Sequence, residues 1–77
     1  MSAQIVARLR ALLPDLEWGR ETHVQWRDYL ASGRAPSGAD RDVGDAAFHQ
    51  RLVEIYDERI AAVCQAADFI AEQGRAA

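Results

Sequence analysis

Between Val43 and Gln73 the chain runs for thirty-one residues without a proline and stays apolar at helical spacing throughout. His49, Val53, Tyr56, Ile60, Val63, Ala67 and Ile70 recur at intervals of four and three, which places them on one face of an α-helix. Phe48, Leu52, Ile55, Ala62, Ala66 and Phe69 form a second stripe beside the first. Projected at 100° per residue, the two stripes cover about 200° of arc. A helix packed on a single neighbour needs an apolar arc of little more than about 100°, so this helix expects two neighbours. The remaining arc holds Gln50, Glu54, Asp57, Glu58, Gln65, Asp68 and Glu72.

Length turns this width into an architecture. At a rise of about 1.5 Å per residue such a helix is about 46 Å long. A compact chain of 77 residues has a radius of gyration of only about 11–12 Å. The helix therefore does not fit inside a compact globule. The expectation is an all-α fold: an elongated antiparallel helical hairpin that pairs with a second copy into a four-helix bundle. A monomeric three-helix bundle, with the first helix broken and folded back, is the alternative.

The other arm of the hairpin is less regular. Ile5, Leu9, Leu12 and Leu16 keep heptad-type spacing, and the register continues through Gly19, His23, Trp26 and Leu30. Ser2 is placed to cap the start. Pro14 cannot donate to the carbonyl of Arg10, and its ring crowds that turn. Because the apolar register survives the proline, the expectation is a kink or tight break at 13–15 within a helix spanning 3–32. Residues 33–42 carry Gly33, Pro36, Ser37 and Gly38 among alternating charges and read as the loop. Gly33 is suited to end the first arm in a left-handed conformation. Asp42 is the expected N-cap of the long helix, read as 43–73. The whole chain, 1–77, is one domain.

Composition narrows the function more by exclusion than by assignment. Twelve acids against nine bases leave a net charge of −3, which argues against direct nucleic-acid binding through a basic face. All nine bases are arginine and fifteen residues are alanine, the signature of a GC-rich coding sequence and hence a bacterial or phage origin. A lone cysteine, Cys64, supplies neither an internal disulfide nor a cysteine-based zinc site. The N-terminal stretch is interrupted by Arg8 and Arg10, unlike a signal peptide, and no run reaches the roughly 18–20 apolar residues of a membrane span. A cytoplasmic protein with no membrane association is expected.

Several polar and aromatic residues fall where a plain bundle would not need them. His23 and His49 occupy seam positions, with His49 opposite Trp26 and His23 near Leu52, the two imidazoles about a turn apart. They are weak metal-ligand candidates, since neither has the Glu three residues earlier that bundle metal sites use. Satisfied core histidines are the plainer reading, and a pH-sensitive interface is a third. Arg59 lies in the middle of the apolar arc and must find an acid there; Asp15 or Glu17 is the expected partner, within the chain or across a dimer. Trp18, Thr22, Gln25 and Tyr29 recur on a second face of the first arm, and with Trp26 they offer aromatic anchors of the type enriched at binding hot spots. Glu54, Asp57 and Glu58, with Asp68 and Glu72, make an acidic face without a base on it.

No nucleophile–histidine–acid constellation and no phosphate-binding glycine loop is present, and no cofactor is implied. The expectation is a non-enzymatic, regulatory or accessory protein acting through protein–protein contact. An acidic decoy occupying the nucleic-acid-binding surface of its target is one alternative. A metal- or ligand-binding bundle using His23 and His49 is the other.

Overall fold

The computed structural model describes residues 2–33 and 43–76, and its regular elements are three helical segments: α1 (Ser2–Arg10), α2 (Leu13–Ala31) and α3 (Ala46–Ala76). Segments α1 and α2 form a single kinked arm, and both pack along α3. The result is a helical hairpin measuring 57 × 18 × 14 Å with a radius of gyration of 17.1 Å. The folded-back three-helix arrangement is not what forms, because α1 continues along α3 instead of returning.

The kink lies at Ala11 and Leu12, about two residues earlier than the expected 13–15, and the cause is the proline. Pro14 occupies the first turn of α2, where a missing N–H costs nothing. Its ring excludes a helical carbonyl four residues back, at Arg10, and Arg10 is where α1 stops. The Ala11 N–H still bonds the Ala7 carbonyl at 2.9 Å, while the Leu12 N–H reaches only three residues back, to Leu9 at 3.1 Å. This tightened turn shifts the phase of the segment before it. Val6 becomes the buried residue of α1, and Ile5 and Leu12, expected in the seam, are exposed. Ser2, expected to cap the start, is the first residue of α1.

The first arm ends as expected: Gly33 adopts φ +83°, and the Ser32 and Gly33 N–H groups bond the Asp28 and Leu30 carbonyls at 3.1 and 3.2 Å. The long helix begins three residues late. Gly44, at φ +92°, stands outside it, and Asp45 is the cap, its Oδ1 accepting the Phe48 N–H at 2.8 Å. The expected cap Asp42 and the loop stretch 34–42 lie outside the described residues. At the other end α3 runs three residues past Gln73.

The seam of α3 is the first stripe read from the sequence. His49, Val53 and Ala67 are buried, and Tyr56, Ile60, Val63 and Ile70 are half-buried. Facing them are Val6, Leu9, Leu13, Leu16, Gly19, His23, Trp26 and Leu30, of which Val6 and Gly19 are buried. Gly19 is demanded by contact: a Cβ there would lie 2.6 Å from the Tyr56 ring. Tyr56 crosses the seam at that point because the opposite helix presents no side chain. Only Val6, Val53 and Ala67 are fully buried apolar residues among those described.

Candidate functional site

The seam divides the hairpin surface into two flanks, and helical phase assigns every outward residue to one of them. On one flank lie Arg10, Arg20 and Arg27 from the first arm, with Gln50, Asp57 and Asp68 from α3. These residues reach across the seam to each other. Arg20 Nε donates to Asp57, Arg27 Nη1 donates to Gln50 Oε1 at 2.7 Å, and Arg10 Nη2 stands 3.5 Å from Asp68. Gln50 in turn donates to Glu54 at 3.3 Å. The hydrogen bond from Arg20 to Asp57, reinforced by the carboxylate charge, raises the guanidinium pKa further. The expected acidic patch is therefore partly answered from within the chain: Asp57 and Asp68 face arginines and Glu54 accepts from Gln50, while Glu58 stays outward and exposed.

The opposite flank is apolar. Its α3 column is the second stripe: Phe48, Leu52, Ile55, Ala62, Ala66 and Phe69. Its first-arm column carries Ile5, Leu12, Trp18, Thr22 and Tyr29. Trp18 is 73% exposed, Phe69 64% and Phe48 50%, large values for side chains of this size and hydrophobicity. Thr22, Gln25, Trp26 and Tyr29 line a shallow groove at the loop end of this flank. The accessible surface of the chain is 5769 Å², whereas a compact monomer of 8.6 kDa exposes about 4,700 Å². The excess, about 1,100 Å², is larger than the roughly 800 Å² that one partner contributes to a standard stable interface.

Arg59 sits within this apolar column. It is exposed, with its guanidinium carbon 6.0 Å from the centroid of the Tyr56 ring, a cation–π contact at the edge of the useful range. The ion pairs among the described residues are Arg10–Asp68, Arg20–Asp57 and Arg27–Asp28. Neither Asp15 nor Glu17 meets Arg59 within the chain. The pairing expected from the sequence is absent there for a simple reason: the arginine is not buried in the single hairpin, so nothing in one chain obliges it to pair.

Beneath the flanks, in the seam, four rings form a column. Trp26 stacks on His49 at 6.0 Å, His49 on His23 at 5.1 Å, and His23 on Tyr56 at 5.7 Å, all within 27° of parallel. Phe48 meets His49 edge-on at 5.1 Å. The two imidazoles are closer than the turn's separation read from the sequence, with their Nδ1 atoms 2.8 Å apart. His49, 3% exposed, has its Nε2 2.6 Å from the Val43 carbonyl. A carbonyl only accepts, so His49 Nε2 carries a proton and, in the neutral ring, Nδ1 is the acceptor. His23 Nδ1–H is then the donor to it. Burial, and secondarily the neighbouring His49, lowers the His23 pKa below its ordinary 6.5.

This arrangement shares a proton between two nitrogens and leaves no lone pair directed at a common metal. A zinc centre takes at least three protein ligands, and among the described residues no group of three or more His, Cys, Asp or Glu side chains is placed to hold an ion. Cys64 is half-buried with a free thiol. Among the described residues no helix is long and apolar enough to cross a membrane.

The structure thus gathers Trp18, Tyr29 and Arg59 on one flank and Asp57 and Glu54 on the other, and it holds Trp26, His23 and His49 between them. Phe48 and Phe69 belong with Trp18 on this flank, and their place in the second apolar stripe is the sequence signal for them. Compared with known protein families, curated proteins and solved structures, the chain matches none.

Proposed function

We propose that this chain is a small, non-enzymatic interaction protein whose working form is a homodimer, two hairpins joined through their apolar flanks into a four-helix bundle. The observation that supports the reading is the flank itself: Trp18, Phe48 and Phe69 stand at least half exposed on one side of a hairpin, aligned with Ile5 and Leu12. Monomeric soluble proteins seldom leave so continuous an apolar surface open, and a self-complementary patch on a short chain is most simply covered by another copy. Once that flank is covered, the braced polar flank is what the assembly presents to a regulated protein. The reading as an accessory or regulatory subunit rests on that geometry.

The test is a mass. Sedimentation equilibrium or multi-angle light scattering at micromolar concentration is expected to return twice the 8.6 kDa of the chain. A mass of one chain at every accessible concentration removes the homodimer.

A further inference from the structure

Two charges on the apolar flank bear on how it can pair, one on each of its columns, while a third, Arg51, stands at the outer edge of the α3 column. Arg59 lies near the middle of the α3 column and Asp15 at the edge of the first-arm column, and neither has an ion-pair partner within the described chain. Their heights follow from the contacts across the seam. Gly19 stands against Tyr56, Arg20 against Asp57, and Arg10 against Asp68. Arg59 is therefore level with Trp18 and within about one helical turn, 5.4 Å, of the height of Asp15.

A two-fold symmetric pair of hairpins stacked flank to flank has two arrangements open to it. With the axis running across the helices, α3 of one copy lies antiparallel on α3 of the other. Arg59 is two residues from the midpoint of α3 (Ala46–Ala76), so at full overlap the two guanidinium groups fall within about 6 Å of each other along the axis. Two like charges at that separation between apolar surfaces repel strongly, and sliding the helices apart to relieve them uncovers the flank. With the axis running along the helices, α3 of one copy lies on the first arm of the other. Every neighbouring pair of helices is antiparallel in this arrangement as in the first, but here Arg59 of each copy faces the level of Asp15 on the second copy. The small residues Ala62 and Ala66 fall opposite the large Leu12, and Phe48 falls opposite Tyr29.

We infer that the dimer adopts the second arrangement, α3 of each copy seated against α1 and α2 of the other, with two symmetric Arg59–Asp15 ion pairs crossing the interface. This rests on the homodimer reading and adds to it the identity of the facing helices. Arg59 then acts as an orientation key: it is tolerated in one packing of the apolar flanks and opposed in the other.

The experiment measures the dimer dissociation constant by sedimentation equilibrium for the wild-type chain, Arg59→Gln, Asp15→Asn, and the charge-exchanged double variant Arg59→Asp/Asp15→Arg. Each single neutralisation is expected to weaken the dimer by about tenfold or more, since it strands the opposite charge in the interface, and the exchange is expected to recover most of that loss. A tighter dimer for Arg59→Gln overturns the arrangement in favour of α3 on α3. Single variants that dimerise like the wild type overturn the ion pair while leaving the homodimer intact. Wild-type chain that sediments only as monomer overturns both. Helix content by circular dichroism, unchanged in the single variants, ties the effect to the interface.

Discussion

The two flanks of this hairpin are made by the same pair of helices, at the same heights, and they solve opposite problems. On the polar flank, Arg10, Arg20 and Arg27 reach over the seam and meet acceptors on α3. The Arg10–Asp68 and Arg20–Asp57 pairs are open to solvent, where ion pairs add little, and the Arg27–Gln50 hydrogen bond is partly covered. Their consequence is register more than stability: three arginines spaced along the first arm and matched to three acceptors on α3 penalise a slip of one helix past the other. On the apolar flank the large side chains stop at the water. Nothing closes over Trp18 or Phe69, so the free energy available there is realised only when another surface arrives. One flank finishes the hairpin, and the other leaves it unfinished.

The largest effect that separates the flanks is charge placed on each. Trp18→Glu and Phe69→Glu are each expected to raise the dimer dissociation constant by about a hundredfold, the scale of a central aromatic anchor, while the helix content and unfolding of the isolated hairpin hold steady, as for other surface substitutions. Glu54→Lys and Glu72→Lys, on the polar side of α3, are expected to leave the mass untouched. Analytical ultracentrifugation of the four variants checks both statements. If the lysine variants dissociate the protein and the glutamate variants do not, the flanks have been assigned the wrong way round.

Gly19→Ala tests the seam on which both flanks depend. Alanine gains about 1 kcal/mol in helix propensity over glycine, but its Cβ would stand 2.6–2.7 Å from three atoms of Tyr56. The tyrosine must swing out, ending its stack with His23, and overpacking of this kind costs about 1–3 kcal/mol. A net loss of stability of up to about 2 kcal/mol is expected in chemical denaturation. The second variant Tyr56→Leu/Gly19→Ala, which removes the crowded ring, is expected to recover part of it. An increase in stability for Gly19→Ala alone would mean that Tyr56 does not occupy the gap.

How far these features were legible in the residues depends on the kind of interaction involved. The wide arc of α3 was legible because spacing along a helix maps directly onto angle, and the same periodicity separated its seam stripe from its outer stripe. The break in the first arm lies about two residues before the place expected because proline acts on the carbonyl four residues before it, not at its own position. That displacement carried Val6 into the seam in place of Ile5. Arg59 was read as buried because the arc was treated as closed; in the single hairpin half of that arc is open. The Nδ1–Nδ1 contact of His23 and His49 depends on two side-chain torsions and a carbonyl at Val43, none of which leaves a trace in spacing. The grouping of all the large exposed side chains on one flank follows from the antiparallel orientation together with helical phase, and it needed both arms placed before it could be seen.

The imidazole pair predicts a pH dependence lying beneath both flanks. The His23 pKa is lowered below 6.5 in the folded chain, so on acidification the unfolded chain takes up its proton first. Stability from this group is present above pH 6.5 and is lost as the pH falls from there through the folded value. The groups against His23 are His49, bonded to it, and the Tyr56 ring stacked on it; no carboxylate is bonded to the pair to hold an imidazolium there. A proton added to His49 Nδ1 would point at the His23 N–H and break the shared bond. His23→Gln keeps a donor for His49 and removes the titrating ring. Its thermal unfolding is expected to vary less with pH between about 7 and 5 than that of the wild type. Equal pH slopes in the two proteins would assign the effect elsewhere.

The smallest expected effect belongs to the polar flank and is informative for being small. Arg20→Ala removes the cross-seam partner of Asp57, and both groups are substantially exposed, so only a slight loss of stability is expected in denaturant unfolding. The loss should shrink further at molar salt, where the screening length falls to about 3 Å. The dimer dissociation constant should not move, because Arg20 lies on the flank that the second copy does not touch. A double-mutant cycle with Asp57→Ala isolates the pair from the other contacts of either side chain. A large coupling, insensitive to salt, would show that the pair is covered in solution and that the braced flank also lies in an interface. In that case the chain would be a link between two neighbours, one on each flank, in place of half of a closed dimer.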